Sequence, residues 1–221
     1  MAHYLLKPKK RKLRYKEYLQ MAEVLKIANP KANKLLKDTI KRFQVYFPKF
    51  CKMSIIKGIT KMKKLNELLE AFQSAVLGTQ SENGYPFSSY APFYYDGEVV
   101  YVFVSNIATH AQNMQERPKA STFFVEDEVK SDNIFARRRI SLQCDVEMIS
   151  RENKRYEEVM PKFQAKFEGG TLGMLMGMAD FNLYALTPIY GEATFGFGEA
   201  YNIGGEKMNI LVERTASRGH K

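Results

Sequence analysis

The sequence predicts an α+β protein, an antiparallel β core with helices around it. Three observations predict it. Residues 74–104 hold three strand-like runs joined by Asn83-Gly84 and Asp96-Gly97, pairs that tolerate the positive φ of two-residue hairpin turns, so they read as a β-meander. In the run 135–149, Ile140, Leu142, Cys144, Val146 and Met148 alternate with Ser141, Gln143, Asp145 and Glu147, a half-buried strand. Residues 13–74, by contrast, carry apolar side chains at spacings of three and four, the helical period.

In order, Tyr15, Tyr18, Leu19, Ala22 and Leu25 line one face of a helix over 13–28, stopped by Asn29-Pro30. Ala32, Leu36, Ile40, Phe43 and Phe47 do the same over 32–47, with Lys34, Lys37, Lys41 and Arg42 opposite and Pro48 at the end. A third helix over 60–74 gathers Met62, Leu65, Leu69 and Phe72 and runs into the first strand, 74–79, where Ala75, Leu77 and Thr79 share a face. An aromatic run over 85–95 and a β-branched run over 99–104 complete the meander. Ser105-Asn106 offers a cap for a short helix bearing Ile107, Ala108, Ala111, Met114 and Gln115, closed by Arg117-Pro118. Strand character resumes over 121–126, and an acidic, turn-prone stretch over 126–133 follows. Tyr156, Val159, Met160 and Phe163 make a helix over 152–167, with a kink or break expected at Pro161 and an end at Gly169-Gly170. Strands are expected over 181–187, ended by Pro188, and over 192–201, with Phe195 and Phe197 on one face.

A chain of 221 residues, 45% hydrophobic, suffices for one large domain and an appendage. No apolar run reaches the roughly 18 residues of a membrane span, and the N-terminus lacks the apolar centre of a signal peptide. Cys51 and Cys144 stand far apart, as expected of two reduced thiols in a cytoplasmic protein. The net charge of +10 is unevenly spread. Residues 1–64 hold 19 Lys/Arg against 3 Asp/Glu, a balance of +16; residues 65–221 hold 15 against 21, a balance of −6. This shift divides the chain into a basic helical segment, 1–60, and a main domain, 61–221. The cluster KPKKRK at 7–12 suits contact with nucleic acid or another anionic surface, and equally a solvated tail; nucleic acid is not the expected partner.

Few residues are candidates for chemistry. Of three histidines, His3 and His220 lie in terminal stretches, where such side chains are ordinarily idle. His110 lies in the short helix, where it either bonds local groups or serves a site. Arg137, Arg138 and Arg139 enter a strand, either as a charged edge or with at least one planar fork free for an anion. The methionine- and leucine-rich stretch 172–178 is soft apolar surface, either core or the wall of a flat ligand site. There is no Ser–His–Asp arrangement, HExxH, Cys/His metal spacing, Walker loop or GxGxxG after a strand, so hydrolase and kinase readings have little support.

The order strand, Ser105, Ala108, His110, Asn113-Met114, Pro118, Ala120-Ser121 resembles the split-barrel family of flavin-binding pyridoxamine-phosphate-oxidase-like proteins. GYPFSSYAPFYYDG, VEDE at 125–128, ARRRI at 136–140, GGTLGMLMGMADFNLYALTP and FGFGEAYNIGG are similar to one branch of it, the HugZ-type haem-utilisation proteins, over roughly residues 62–221. The specificity of the likeness lies in the number and order of these motifs.

That resemblance implies a six- to eight-stranded antiparallel split β-barrel with an N-terminal helical segment, and a haem-binding domain over 61–221. It implies a homodimer with haem at the interface and a histidine of the C-terminal tail as axial iron ligand, here His220. In the tail TASRGHK, Arg218 stands where a two-residue shift is needed to bring His220 to the ligand's place. Arg139 matches the family's haem-site arginine, and with Arg137 it would pair with a propionate or face the oxygen side of the haem. His110 is a further cofactor-binding candidate; residues 85–90 and the methionine stretch are candidate walls. The implied activity is a haem-degrading monooxygenase of iron acquisition, with haem as substrate and cofactor and electrons from a separate reductase. The product would be of the biliverdin type, with iron released. One alternative is an FMN-dependent oxidoreductase on the same barrel. The flavin branch usually places a basic residue after the serine that ends the third strand, and no Arg or Lys stands between Ser105 and Gln115. The other is a protein that binds haem without degrading it.

Overall fold

The computed structural model describes residues 61–167, 169–205 and 208–214. The helices expected over 13–28 and 32–47, the basic cluster, His3, Arg218 and His220 lie outside the described residues. Helix α1 covers residues 61–71. It is followed by β1 (Ser74–Gln80), β2 (Pro86–Tyr95), β3 (Val100–Ser105), α2 (Thr109–Glu116), β4 (Lys119–Val125), β5 (Arg139–Ile149), α3 (Lys154–Lys166), α4 (Thr171–Met176), β6 (Phe181–Thr194), β7 (Ala200–Gly204) and β8 (Ile210–Glu213).

All strand pairs are antiparallel, in the order β3-β2-β1-β4-β5-β6-β7-β8. β3 also pairs with β6, from Val100↔Leu186 to Ser105↔Phe181, which closes β1 to β6 into a barrel and leaves β7 and β8 as an extension. β6 serves both parts because it bends. Gln143 faces Tyr190 and Cys144 faces Pro188, so Ile189 is an extra residue, a β-bulge. The first half of β6 then pairs with β3 and the second with β7. Pro188 therefore does not end the strand, because a bulge tolerates its missing N–H.

The alternation seen in the sequence is the inside and outside of the barrel. Ala75, Leu77 and Thr79 are buried, as are Ala91 and Phe93 on β2, Phe124 on β4 and Ile140, Leu142 and Cys144 on β5. Leu65, Leu68 and Leu69 of α1 and Ala111 and Met114 of α2 join this core. A second core lies outside the barrel, where Tyr156, Val159, Met160 and Phe163 of α3 cover Tyr101, Phe103, Leu183 and Ala185. Burying each large side chain stabilises the fold by about 1.5–3 kcal/mol.

Several local expectations change. The first hairpin uses a longer loop than two residues: Gly84 N donates to Ser81 O, Ser81 N donates to Tyr85 O, and only Gly84 takes positive φ there, 84°. α2 begins at Thr109 with no side-chain cap, since Ser105 Oγ is bound to Asp180 and to Ile107 N. α3 runs through Pro161, whose exposed position leaves the carbonyl it cannot serve on the solvent side. The expected strand over 192–201 is the end of β6, a turn and the start of β7; Phe195 is buried and Phe197 is 86% exposed, on opposite sides.

Candidate functional site

The stretch before β5 is built on Glu126. This residue is buried, and its backbone carbonyl accepts from Arg137 Nε (2.9 Å) and Nη2. Its carboxylate accepts from Arg138 Nε (2.9 Å) and Nη2. The hydrogen bonds from Arg138 hold the Glu126 carboxyl below its ordinary pKa, against the opposing effect of burial. Arg137 also pairs through Nη1 with Glu128 at 2.9 Å. Two of the three arginines are thus committed to the loop. Arg139 is not. Its Nη1 donates to the Arg137 carbonyl at 3.0 Å, and it has no carboxylate partner among the described residues. As the first residue of β5, between Val125 and Thr194, it is only half-buried. A guanidinium with Nε and Nη2 uncommitted can hold a carboxylate or phosphate by two charge-assisted bonds.

His110 occupies a different corner. α2 presses it against β2, where Nδ1 lies 3.0 Å from Ser89 Oγ. Nε2 is buried and has no partner among the described residues. Burial keeps the imidazole pKa below the usual value, so the ring is neutral near pH 7. Around it, Asn113 Nδ2 donates to Thr79 Oγ1 at 3.0 Å, and Gln115 Nε2 donates to Tyr184 Oη at 2.7 Å. The barrel register separates His110 from Arg139. Ser89 faces Leu77, Leu77 faces Thr122 and Thr122 faces Leu142, which lies three residues along β5 from Arg139. One chain does not bring the two side chains together.

The apolar candidates lie at the surface. Tyr85 is 71% and Tyr90 67% exposed. Tyr90 sits beside Val76, which faces Phe123, an apolar strip on the outside of β2, β1 and β4. Met174 and Met178 are exposed, while Leu172, Leu175 and Met176 pack on the outer core. Their segment is fastened by Arg151, which donates to the carbonyls of Met176 (2.7 Å), Met178 (2.6 Å) and Phe181 (3.0 Å). Arg151 has no signal in the sequence, Ser89 stood only within the candidate wall of residues 85–90, and Glu126 only in the VEDE motif and an acidic turn. An acidic residue beside a later arginine triplet was the available signal for the last. A cavity of about 120 Å³ lies between Lys64, Glu67 and Leu68 of α1, Arg138 and Phe195. Among the described residues no cluster of His, Cys, Asp and Glu is arranged to hold a metal ion.

The family model described as pyridoxamine 5'-phosphate oxidase matches residues 62–194. Heme oxygenase HutZ of Vibrio cholerae is 31% identical over 158 residues, covering 72% of this chain and 88% of that protein. The crystal structure of Campylobacter jejuni ChuZ superposes with a TM-score of 0.64 at 30% identity, over 72% of this chain and 64% of that one, so just under two thirds of ChuZ is matched. A crystal structure of HutZ, described there as the heme storage protein of Vibrio cholerae, gives a TM-score of 0.54 at 30% identity, over 57% of this chain and 88% of that one. A split barrel of six closed strands and two extra ones, matched in this way, belongs to the pyridoxamine 5'-phosphate oxidase-like superfamily, and within it this chain is a HugZ/HutZ-type protein.

Proposed function

We propose that the protein binds haem as a homodimer and degrades it to a biliverdin-type product, releasing iron in the cytoplasm for iron acquisition. The observation that carries the reading is the 31% identity with a protein named heme oxygenase, over 88% of its length. Arg139 fits the group. A haem presents two propionates, and Arg139 is the one arginine of the triplet with no carboxylate partner among the described residues. The cavity beside α1, at about 120 Å³, is far below the 300–1,000 Å³ typical of sites for such ligands. A porphyrin would therefore lie on an open face completed by a second copy, and the strip of Val76, Tyr90 and Phe123 is a candidate for that contact.

Haem, when bound, would supply the oxygen-activating iron chemistry, fed by electrons from a separate reductase. The chain supplies the rest. Arg139, steadied by the Arg137 carbonyl, anchors an anionic edge of the ring. Arg137 and Glu126 hold the strand entry that aims it. His220 would hold the haem iron through a neutral imidazole nitrogen. His110 is neutral at the same pH, but its buried Nε2 suits support of the β2–α2 corner better than approach by a flat macrocycle. FMN binding remains the second reading, because the matching family model is that of pyridoxamine 5'-phosphate oxidase, the family whose resemblance implies a flavin. The absence of a cation between Ser105 and Gln115 weighs against it.

Hemin titration followed by absorbance tests binding. One saturable Soret band per chain is expected, altered in shape by His220→Ala and weakened about tenfold in affinity by Arg139→Ala. No band, with a yellow protein on purification, would replace this reading with the flavin one.

A further inference from the structure

We propose that Phe135 and Phe197 are haem-binding residues, two aromatic rings that cover the apolar body of a porphyrin whose propionate is held by Arg139. The inference rests on the haem reading above and adds to it the side chains that recognise the macrocycle. These two are the only exposed phenylalanines among the described residues, at 84% and 86% exposure. The barrel brings both to the end where Arg139 lies.

Each ring sits on a segment that the fold holds in place. Phe197 is at the tip of the turn between β6 and β7, flanked by Gly196 and Gly198 at positive φ, 155° and 75°. Phe195 N donates to Glu199 O (3.0 Å) and Glu199 N donates to Gly196 O (3.2 Å), which closes the turn. Phe195 packs on Tyr201 in the core with ring centres 5.6 Å apart, and Lys64 holds the Glu199 carboxylate at 3.1 Å. Phe135 is in the single 3-10 turn Ile134–Ala136, capped by Asn133, whose Oδ1 accepts from Phe135 N at 3.0 Å. Arg137, two residues on, is tied to Glu126 and Glu128.

Register places both rings near Arg139. Arg139 pairs with Thr194, and the two face outward, since Ile140, Ala193 and Phe195 are in the core. Phe135 precedes Arg139 by four residues, and Phe197 follows Thr194 by three. At up to about 3.6 Å per residue and about 5 Å between paired strands, neither backbone lies more than about 16 Å from that of Arg139. A porphyrin with its propionates spans a comparable length. A phenylalanine has no hydrogen-bonding group, so its exposed faces gain only by being covered with apolar surface. A ring on a fixed turn loses little freedom when it is covered. Arg139 supplies the complementary charge, with Nε and Nη2 uncommitted among the described residues. An apolar plate with an anionic edge matches both features at once.

The test is hemin titration of the full chain, followed by the Soret band, in the parent and four variants. Phe135→Ala and Phe197→Ala are each expected to weaken binding about tenfold with the Soret maximum unmoved, because neither ring touches the iron. Phe197→Tyr keeps the aromatic face and is expected to bind as the parent does. Ile107→Ala is the control. Ile107 is 81% exposed, but it stands beside Ser105, which pairs with Phe181 at the other end of β6 from Thr194, and no change is expected. All three positions are exposed, so every variant is expected to melt with the parent. Unchanged affinity in either phenylalanine-to-alanine variant, an equal loss in Ile107→Ala, or a loss in Phe197→Tyr as large as in Phe197→Ala would overturn the inference and leave the haem reading standing. A loss accompanied by dissociation to monomers in sedimentation would assign the rings to a contact between copies, and would also overturn it. A parent that binds no hemin would overturn the haem reading and this inference with it.

Discussion

Arg137, Arg138 and Arg139 are consecutive in sequence and have separate roles. Arg137 and Arg138 close the loop through Glu126, and Arg139 keeps donors to spare. Sequence alone left the triplet between charged edge and anion holder, because the deciding residue, Glu126, is 12 positions from Arg138 and meets it only when the loop closes. Arg138→Ala leaves the Glu126 carboxylate buried without its partner, and a loss of about 1 kcal/mol in denaturant stability is expected. Arg139→Ala breaks one bond to a carbonyl, so its stability is expected within about 0.5 kcal/mol of the parent while hemin affinity falls. Equal stability losses for the two would contradict this division. His110 gives a pH dependence. Burial lowers its folded-state pKa below the unfolded value of about 6.5, so its contribution to stability is fully present above that pH and is lost as pH falls through it. Denaturation midpoints at pH 7.5 and 5.5 should differ less in His110→Gln than in the parent. An unchanged difference would show that the slope arises elsewhere.

Elements were most legible where burial is one-sided. The alternation of β1 and β5 and the 3–4 spacing of α3 became core faces directly, since each buries one face only. Proline signals were less dependable, because their effect depends on what the missing N–H would have met. Pro161 points to solvent inside α3, and Pro188 sits beside the Ile189 bulge. Pro161→Ala is expected to stabilise α3 by about 1 kcal/mol, part of the intrinsic helix gain being offset by a more flexible unfolded chain. A lower thermal midpoint would contradict the view that this proline is merely tolerated. Arg151 holds three carbonyls of the α4–β6 connection, a long-range clasp with no local signature. Arg151→Ala should speed amide hydrogen exchange over residues 172–182 and lower stability by about 1–3 kcal/mol, whereas exchange in β1 should change no more than the global stability does.

At the scale of the molecule, the barrel follows from its longest strand. β6 closes the cylinder with one half and carries β7 and β8 with the other, and its bulge makes both possible. The meander and the strand of 135–149 were legible from turn pairs and alternation, and a range of six to eight strands from the resemblance, while β8 carried no signal. The closing pair β3–β6 was not legible, because strands 76 residues apart at Ser105↔Phe181 leave no local trace. The candidate site was legible only in part for a related reason. The free donors of Arg139 and the neutral ring of His110 lie three strands apart, so within the described residues of one chain they do not share a site. For the proposed homodimer, the outer strip of Val76, Tyr90 and Phe123 is one candidate contact surface among the described residues. Tyr90→Asp places a charge there; sedimentation is expected to show a dimer for the parent and a monomer for the variant. A monomeric parent would remove the shared-site account.

Under the proposed function haem is consumed as well as held. The decisive measurement is the absorbance of hemin-loaded full-length protein under air after addition of ascorbate, followed to completion with extraction of the pigment. Degradation would give loss of the Soret band, a biliverdin-type spectrum in the extract and iron captured by an added chelator, all abolished in His220→Ala. A Soret band that persists through reduction in air, with intact haem recovered, would contradict degradation and leave a haem-binding protein.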